Sequence, residues 1–158
     1  MKNLVFKALF LIFFFLFSKD CFSKYAYISS NNFKDLVVRV ADTINEKQKG
    51  LMNVDSLKNS NGMLFLYKKP KVLKMWMHKT IIPLDIIFID KFNKVLSVNY
   101  GEPFSKEIIS SKELAIAVLE IPFGCAEKLM IEEGVKINWR TIKKRKKNDI
   151  IYYHCLDN

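Results

Sequence analysis

The chain has 158 residues, half of them hydrophobic, so it can form one domain with a buried core. Five glycines and four prolines are too few for a collagen-like or low-complexity chain. No glycine stands in the G-x-G arrangement of phosphate-binding and dinucleotide-binding loops. The formal net charge is +10, and the longest basic run lies near the C-terminus.

Residues 1–23 have the three-part pattern of a cleaved signal peptide. A short basic region precedes an uninterrupted apolar run at residues 8–17, which is too short to span a bilayer comfortably. The small residues Cys21 and Ser23 stand at the −3 and −1 positions of a cleavage site after Ser23. We therefore expect a periplasmic or secreted protein with a net charge of about +8 after cleavage. An uncleaved N-terminal anchor is the alternative, and it would also place the domain outside the cytoplasm.

The polar residues 24–35 are predicted to be a flexible lead-in to a single domain at residues 36–139. Within that domain, apolar and β-branched runs predict short strands. These runs are Leu36–Val40, Met63–Tyr67, Leu73–His78, Leu84–Ile89, Lys94–Tyr100, Leu114–Ile121 and Val135–Trp139. The run Leu84–Ile89 is almost continuously apolar, which is typical of a central strand buried on both faces.

Turns and helix caps separate these strands. Residues 68–71 around Pro70 and the segment Asp90–Asn93 have the chemistry of turns. Thr43, with Glu46 three positions later, predicts a capping box at the start of a short helix. One or two further helical turns are expected within residues 125–131. The pattern predicts a compact, mainly β, α+β domain with a curved or barrel-like antiparallel or mixed sheet and two short helices.

Six short motifs occur in order along this domain. They are Gly50-Leu51-Met52, Gly62-Met63-Leu64-Phe65, Trp76-Met77-x-x-Thr80, Ile82-Pro83-Leu84-Asp85, Phe88-Ile89-Asp90 and Val118-Leu119-Glu120-Ile121-Pro122-x-Gly124. Together they resemble the uncharacterised family called domain of unknown function 192, over roughly residues 38–137. The resemblance implies a compact, mostly β domain that often follows an export signal, and it implies no reaction. The chain departs from the family pattern at Val54, where a basic residue is usual, at Lys79, where asparagine is usual, and at Cys125.

Asp85 and Glu120 are the candidate catalytic residues, because each carboxylate interrupts an apolar run. Two buried carboxylates that face each other can share a proton and act as an acid/base pair. The alternative is structural: Asp85 would accept backbone N–H bonds, and Glu120 would face solvent or pair with a cation.

Other side chains suggest binding rather than catalysis. Trp76, His78 and Thr80 are candidate contacts for a small ligand. Met75 and Met77 lie beside His78, but side chains alternate along a strand, so both methionines share the face opposite His78. We predict no bound metal and no cofactor.

Cys125 and Cys155 would remain after cleavage, and an oxidising compartment permits a disulfide between them. Cys125 could instead be a nucleophile, but the local sequence matches no nucleophile signature. A small buried residue or half of a disulfide is the favoured interpretation.

Residues 140–158 form the predicted basic C-terminal tail, whose basic run is Lys143, Lys144, Arg145, Lys146 and Lys147. In an exported protein such a run favours anionic lipid head groups or envelope polymers, since nucleic acid is seldom met there. A solvated charge run is the alternative. We expect a non-catalytic binding or accessory domain of the cell envelope, whose partner is a small ligand or an envelope protein. The alternative is a small hydrolase or transferase that uses Asp85 and Glu120.

Overall fold

A computed structural model describes residues 24–34, 36–57 and 60–143, which form seven strands and two short helices. The predicted signal peptide, Cys155 and residues 144–147 lie outside the described residues. The strands are β1 (Tyr25–Ser29), β2 (Leu36–Ala41), β3 (Met63–Met75), β4 (Leu84–Ile89), β5 (Val95–Gly101), β6 (Ile109–Pro122) and β7 (Asn138–Ile142). The helices are α1 (Ile44–Lys49) and α2 (Cys125–Lys128).

The strands form one sheet in the order β5-β4-β6-β3-β2-β1-β7. Strands β2 and β3 run parallel, whereas every other neighbouring pair is antiparallel. The start of the edge strand β5 bonds to residues 134–137, which lead into the other edge strand, β7. The sheet therefore curls into a half-barrel, which confirms the predicted fold class.

The hydrophobic pattern places β4 at the centre of this sheet. All six of its residues are buried, as the continuous apolar run predicted. Ile87 and Ile89 pack into a core cluster on one face, together with α2. Ile86 and Phe88 pack into a second cluster on the other face, with Leu51 next to α1. Each face of the sheet thus has its own core.

The short helix α1 begins as its sequence predicted. The Thr43 hydroxyl accepts a hydrogen bond from the Glu46 backbone N–H, and the Glu46 carboxylate accepts one from the Thr43 N–H. This reciprocal pair is a capping box. Gly50 then ends the helix with φ 48°. Among the described residues, no helix is long and apolar enough to cross a membrane.

The prediction that residues 24–35 are a flexible lead-in is wrong, because they contain β1. Ala26 and Ile28 are fully buried and alternate with half-buried neighbours, which is the period-two pattern of a strand. This strand lies between β2 and β7 and pairs with both. Strand β7 in turn includes residues 140–142, so the domain extends into the predicted tail.

The predicted turn around Pro70 is also wrong, because β3 continues from Met63 to Met75 without reversing. Its pairing with β6 shifts register between Leu66 and Lys71. Proline is tolerated there because the ladder is interrupted, so its missing N–H breaks no cross-strand bond. The partner strand β6 correspondingly starts at Ile109, five residues before the predicted run Leu114–Ile121.

Candidate functional site

Asp85 anchors the turn that begins α2. Its carboxylate accepts a hydrogen bond of 2.8 Å from the Ala126 backbone N–H, and the N–H groups of Gly124 and Cys125 also donate to it. Burial raises the pKa of Asp85, and these three backbone hydrogen bonds oppose the rise. Asp85 therefore has the structural role of a buried acceptor for three main-chain donors.

The structure does not bring Asp85 and Glu120 together. In the pairing of β4 with β6, Asp85 stands opposite Ile121, whereas Glu120 stands opposite Ile86. Directly opposed residues project from the same face of a sheet, and consecutive residues project from opposite faces. The two carboxyl groups therefore lie on different faces of the sheet and cannot share a proton as the predicted acid/base pair.

Glu120 faces a small cavity beside α1. Its side chain is only 4 % exposed, and no hydrogen-bond or ion-pair partner for its carboxyl group is present in the described part of the chain. The cavity has a volume of about 30 Å³ and is lined by Glu120, residues 47–52, Phe65, Met75, Trp76 and Thr80. This space would hold roughly two water molecules or a small functional group.

Burial raises the pKa of Glu120 to about 8. The cause is desolvation, because a carboxylate without a partner is disfavoured in an apolar interior. At neutral pH the group is therefore mainly a neutral carboxylic acid. In that form it has an O–H that can donate a hydrogen bond as well as an oxygen that can accept one.

Two of the predicted ligand contacts line the same cavity as Glu120. Thr80 is buried, whereas the Trp76 side chain is 48 % exposed at the mouth. The ring centroid of His78 lies 5.0 Å from that of Trp76, so the imidazole supports the indole from outside the cavity. A turn at residues 78–79 leads from His78 to Thr80, and in it Lys79 has φ 58°. Asparagine tolerates this left-handed conformation better than lysine does, which gives a physical reason for the asparagine usual in the family.

The methionines next to this site are core residues. Met75 and Met77 are buried in the cluster on the α1 face, whereas Trp76 is exposed and His78 is half-buried. Within residues 24–34, 36–57 and 60–143, no three His, Cys, Asp or Glu side chains are grouped so that they could hold a metal ion.

Cys125 is 1 % exposed and disulfide-bonded. A disulfide sulfur is not a thiolate, so Cys125 is not a nucleophile in this state. Cys155 lies outside the described residues, and its pairing with Cys125 stays a prediction. Of the predicted basic run, only Lys143 is described, and it is exposed just beyond β7.

Sequence reasoning missed the wall of the cavity that the end of α1 provides. Lys47 and Lys49 of this helix line the space together with the Gly50-Leu51-Met52 segment that follows. The motif Gly50-Leu51-Met52 was the available signal. The parallel pairing of β2 with β3 brings this motif close to Glu120, and a local sequence pattern does not reveal that pairing.

Comparison with known proteins places this architecture in a family. The model of domain of unknown function 192, described as Uncharacterized ACR, matches residues 26–139. The chain belongs to this family. It is 27 % identical over 113 residues to a UPF0127 protein of Thermococcus gammatolerans, a match that covers 70 % of this chain and 71 % of the relative.

Two solved structures share the fold. One, from Sinorhizobium meliloti, is described provisionally as a transcription regulator; it has a TM-score of 0.68 and 27 % identity, with 75 % of this chain and 95 % of that chain covered. The other, from Novosphingobium aromaticivorans, is described as a protein of unknown function. It has a TM-score of 0.65 and 32 % identity, with 73 % and 84 % of the two chains covered. The matches define a family and a fold without a known activity.

The pKa of Glu120 leads to a prediction about stability. Because its pKa in the folded protein, about 8, exceeds its unfolded value near 4.5, its contribution to stability is complete below pH 4.5 and is lost as the pH rises through about 8. Replacing Glu120 with glutamine removes this titration. We expect the variant to gain stability relative to the original chain between pH 5 and pH 9, by up to several kcal/mol. Urea unfolding of both proteins at pH 5 and at pH 9 measures the difference in their free energies of unfolding.

The exposed Glu113 provides the matched control. A Glu113→Gln variant should show a nearly constant difference from the original chain over the same pH range. An equally constant difference for Glu120→Gln would mean that the Glu120 carboxyl group titrates normally.

Proposed function

We propose that the chain is an exported, non-catalytic domain of the cell envelope that binds a small ligand at Glu120. The observation that carries this proposal is a buried carboxyl group that has no partner among the described residues and faces a cavity lined by an exposed tryptophan. A buried polar group normally has a hydrogen-bond partner. A ligand atom in the cavity would supply that partner.

The chemistry of the cavity indicates which part of a ligand would enter it. Neutral Glu120 donates a hydrogen bond, and Thr80 has a second hydroxyl donor. These groups fit an oxygen-rich end such as a carboxylate. The volume of about 30 Å³ admits only a group of a few atoms. The rest of the ligand would lie outside, against the face of Trp76.

Binding is favoured over the hydrolase or transferase alternative by the position of the carboxyl groups. An acid/base pair needs two groups that reach the same reacting atoms. Asp85 is on the other face of the sheet, held by three main-chain donors. Glu120 thus lacks the partner that this catalytic alternative requires.

Export is supported by the signal-peptide pattern of residues 1–23. The disulfide at Cys125 also suits an oxidising compartment. In the envelope, the basic run at residues 143–147 would meet anionic lipids or polymers. Such contacts should weaken steeply as the salt concentration rises.

Native mass spectrometry of the protein purified from the envelope of its own cells tests this proposal. We expect a chain that begins after Ser23 and retains a small molecule. A Trp76→Ala variant should lose most of that molecule, whereas Phe92→Ala, which removes another exposed aromatic ring, should keep it. A bare chain, or equal retention in both variants, would contradict binding at this cavity.

A further inference from the structure

A second concave surface lies between α1 and β3, next to the Glu120 cavity, and Lys47 lines both. This groove has a volume of about 610 Å³ and is lined by Asp42, Thr43, Ile44, Lys47, Leu66, Tyr67 and Lys68. The volume lies within the range of sites that accept small molecules. We call this surface the α1–β3 groove.

Positive charge is concentrated around one tyrosine in this groove. The Nζ atom of Lys47 lies 4.5 Å from the centroid of the Tyr67 ring, and that of Lys71 lies 4.9 Å from it. The two ammonium groups are therefore within about 10 Å of each other. Burial lowers the pKa of Lys47, and the negative charge of Asp42 raises it. The positive charges of Lys71 and Lys68 lower the pKa of Lys47 further.

The nearby carboxylates are already engaged. Asp42 forms an ion pair with Lys24, and Glu46 accepts hydrogen bonds from the backbone N–H groups of Asp42 and Thr43 in the helix cap. Neither carboxylate makes an ion pair with Lys68 or Lys71 in the described part of the chain. The groove therefore has an excess of positive charge that an anionic partner would neutralise.

An apolar side chain projects beside these lysines. Ile44, the first residue of α1, is 74 % exposed, and the half-buried Leu66 and Tyr67 form the floor next to it. Helices that lie in the membrane interface combine basic residues with exposed apolar side chains, and Ile44 beside these lysines is a small instance of that combination. A soluble polyanion would satisfy the lysines but would leave Ile44 in water.

We propose that the α1–β3 groove docks on a bilayer that contains anionic phospholipids. Lipid phosphates contact Lys47, Lys68 and Lys71, and Ile44 enters the boundary between head groups and acyl chains. This docking orients the domain on the membrane independently of the basic C-terminal run. It does not require a ligand in the Glu120 cavity.

Vesicle co-sedimentation of the protein purified from its own cells tests the docking. The probes are vesicles of phosphatidylcholine alone and vesicles with about one third phosphatidylglycerol. The variant Lys68→Glu/Lys71→Glu is compared with Lys128→Glu/Lys136→Glu, whose lysines are exposed and lie outside the groove. Both double variants have the same net charge and the same C-terminal run, so their difference reports the groove alone.

We expect the groove variant to bind anionic vesicles at least ~10-fold more weakly than the control variant, because each lysine near a membrane surface contributes appreciably to binding. Ile44→Ser, which changes no charge, should also weaken vesicle binding and leave binding to soluble polyphosphate unchanged. Equal losses in the two double variants, or an Ile44→Ser variant that binds vesicles normally, would overturn the proposal. Unfolding midpoints of all variants confirm that the domain stays folded.

Discussion

Replacement of Gly62 by alanine is expected to destabilise the domain by about 3 kcal/mol or more. A Cβ atom at this position would lie 2.1 Å from the Glu120 carbonyl oxygen and 3.0 Å from a methyl group of Ile121. The first contact is with backbone, so no side-chain rotation can relieve it. Strands β3 and β6 would have to separate at the point where β3 begins. Urea unfolding measures the loss.

Gly134 provides a matched control for this prediction. It has φ 90°, so alanine is strained there too, but the nearest atom to a new Cβ is the flexible Cε of Lys94 at 3.5 Å. Gly134→Ala should therefore lose only about 1 kcal/mol. Equal losses at both positions would show that backbone conformation, rather than the close approach to β6, decides the effect at Gly62.

Replacement of Asp85 by alanine is expected to cost about 3 kcal/mol or more in the free energy of unfolding. The substitution leaves the buried N–H groups of Gly124, Cys125 and Ala126 without their acceptor, and each unsatisfied buried donor is unfavourable. Asp85→Asn should lose less than Asp85→Ala, because the amide oxygen still accepts a hydrogen bond. It should still lose some stability, because the NH₂ group cannot accept from the backbone N–H groups that it faces.

The matched control is Asp90, which accepts hydrogen bonds from the backbone N–H groups of Phe92 and Lys94 in an exposed turn. Water can replace its carboxylate there, so Asp90→Ala should lose about 1 kcal/mol. If Asp85→Ala and Asp85→Asn both unfolded at the urea concentration of the original chain, Asp85 would not be the structural anchor described above.

Local patterns predicted the elements whose cause is local. The capping box of Thr43 and Glu46 needs only residues close in sequence. The turn at Asp90 is held by its own side chain, which accepts hydrogen bonds from the backbone N–H groups of Phe92 and Lys94. The buried strand β4 follows from a run that is apolar on both faces.

The errors arose where distant pairing decides the structure. Strand β1 contains the strand formers Tyr25, Tyr27 and Ile28, but the run is only five residues long and polar residues follow it. Its position between β2 and β7 stabilises it. Pro70 would end a strand in a regular ladder, but the shifted register of β3 against β6 accommodates it. Neither outcome can be read from the residues beside it.

The same limit applies to the candidate site. The sequence singled out Asp85 and Glu120 as buried carboxyl groups, and both are buried. Which face each one occupies depends on the register of β4 against β6, and a shift of one residue would reverse it. One cavity is lined by Trp76, Thr80 and Glu120, and the end of α1 forms another part of its wall. That arrangement also depends on contacts between segments distant in sequence.

Ligand binding at the cavity requires Glu120 to be a buried carboxyl group, neutral at pH 7, with no partner in the part of the chain that the structure describes. A ¹³C NMR titration of the glutamate side-chain carboxyl groups tests it most directly, with Glu120→Gln used to assign the signal. We predict that this signal titrates with a pKa of about 8. A midpoint near 4.5, the ordinary value for glutamate, would show that Glu120 is a solvated or paired carboxylate and not a neutral buried acid.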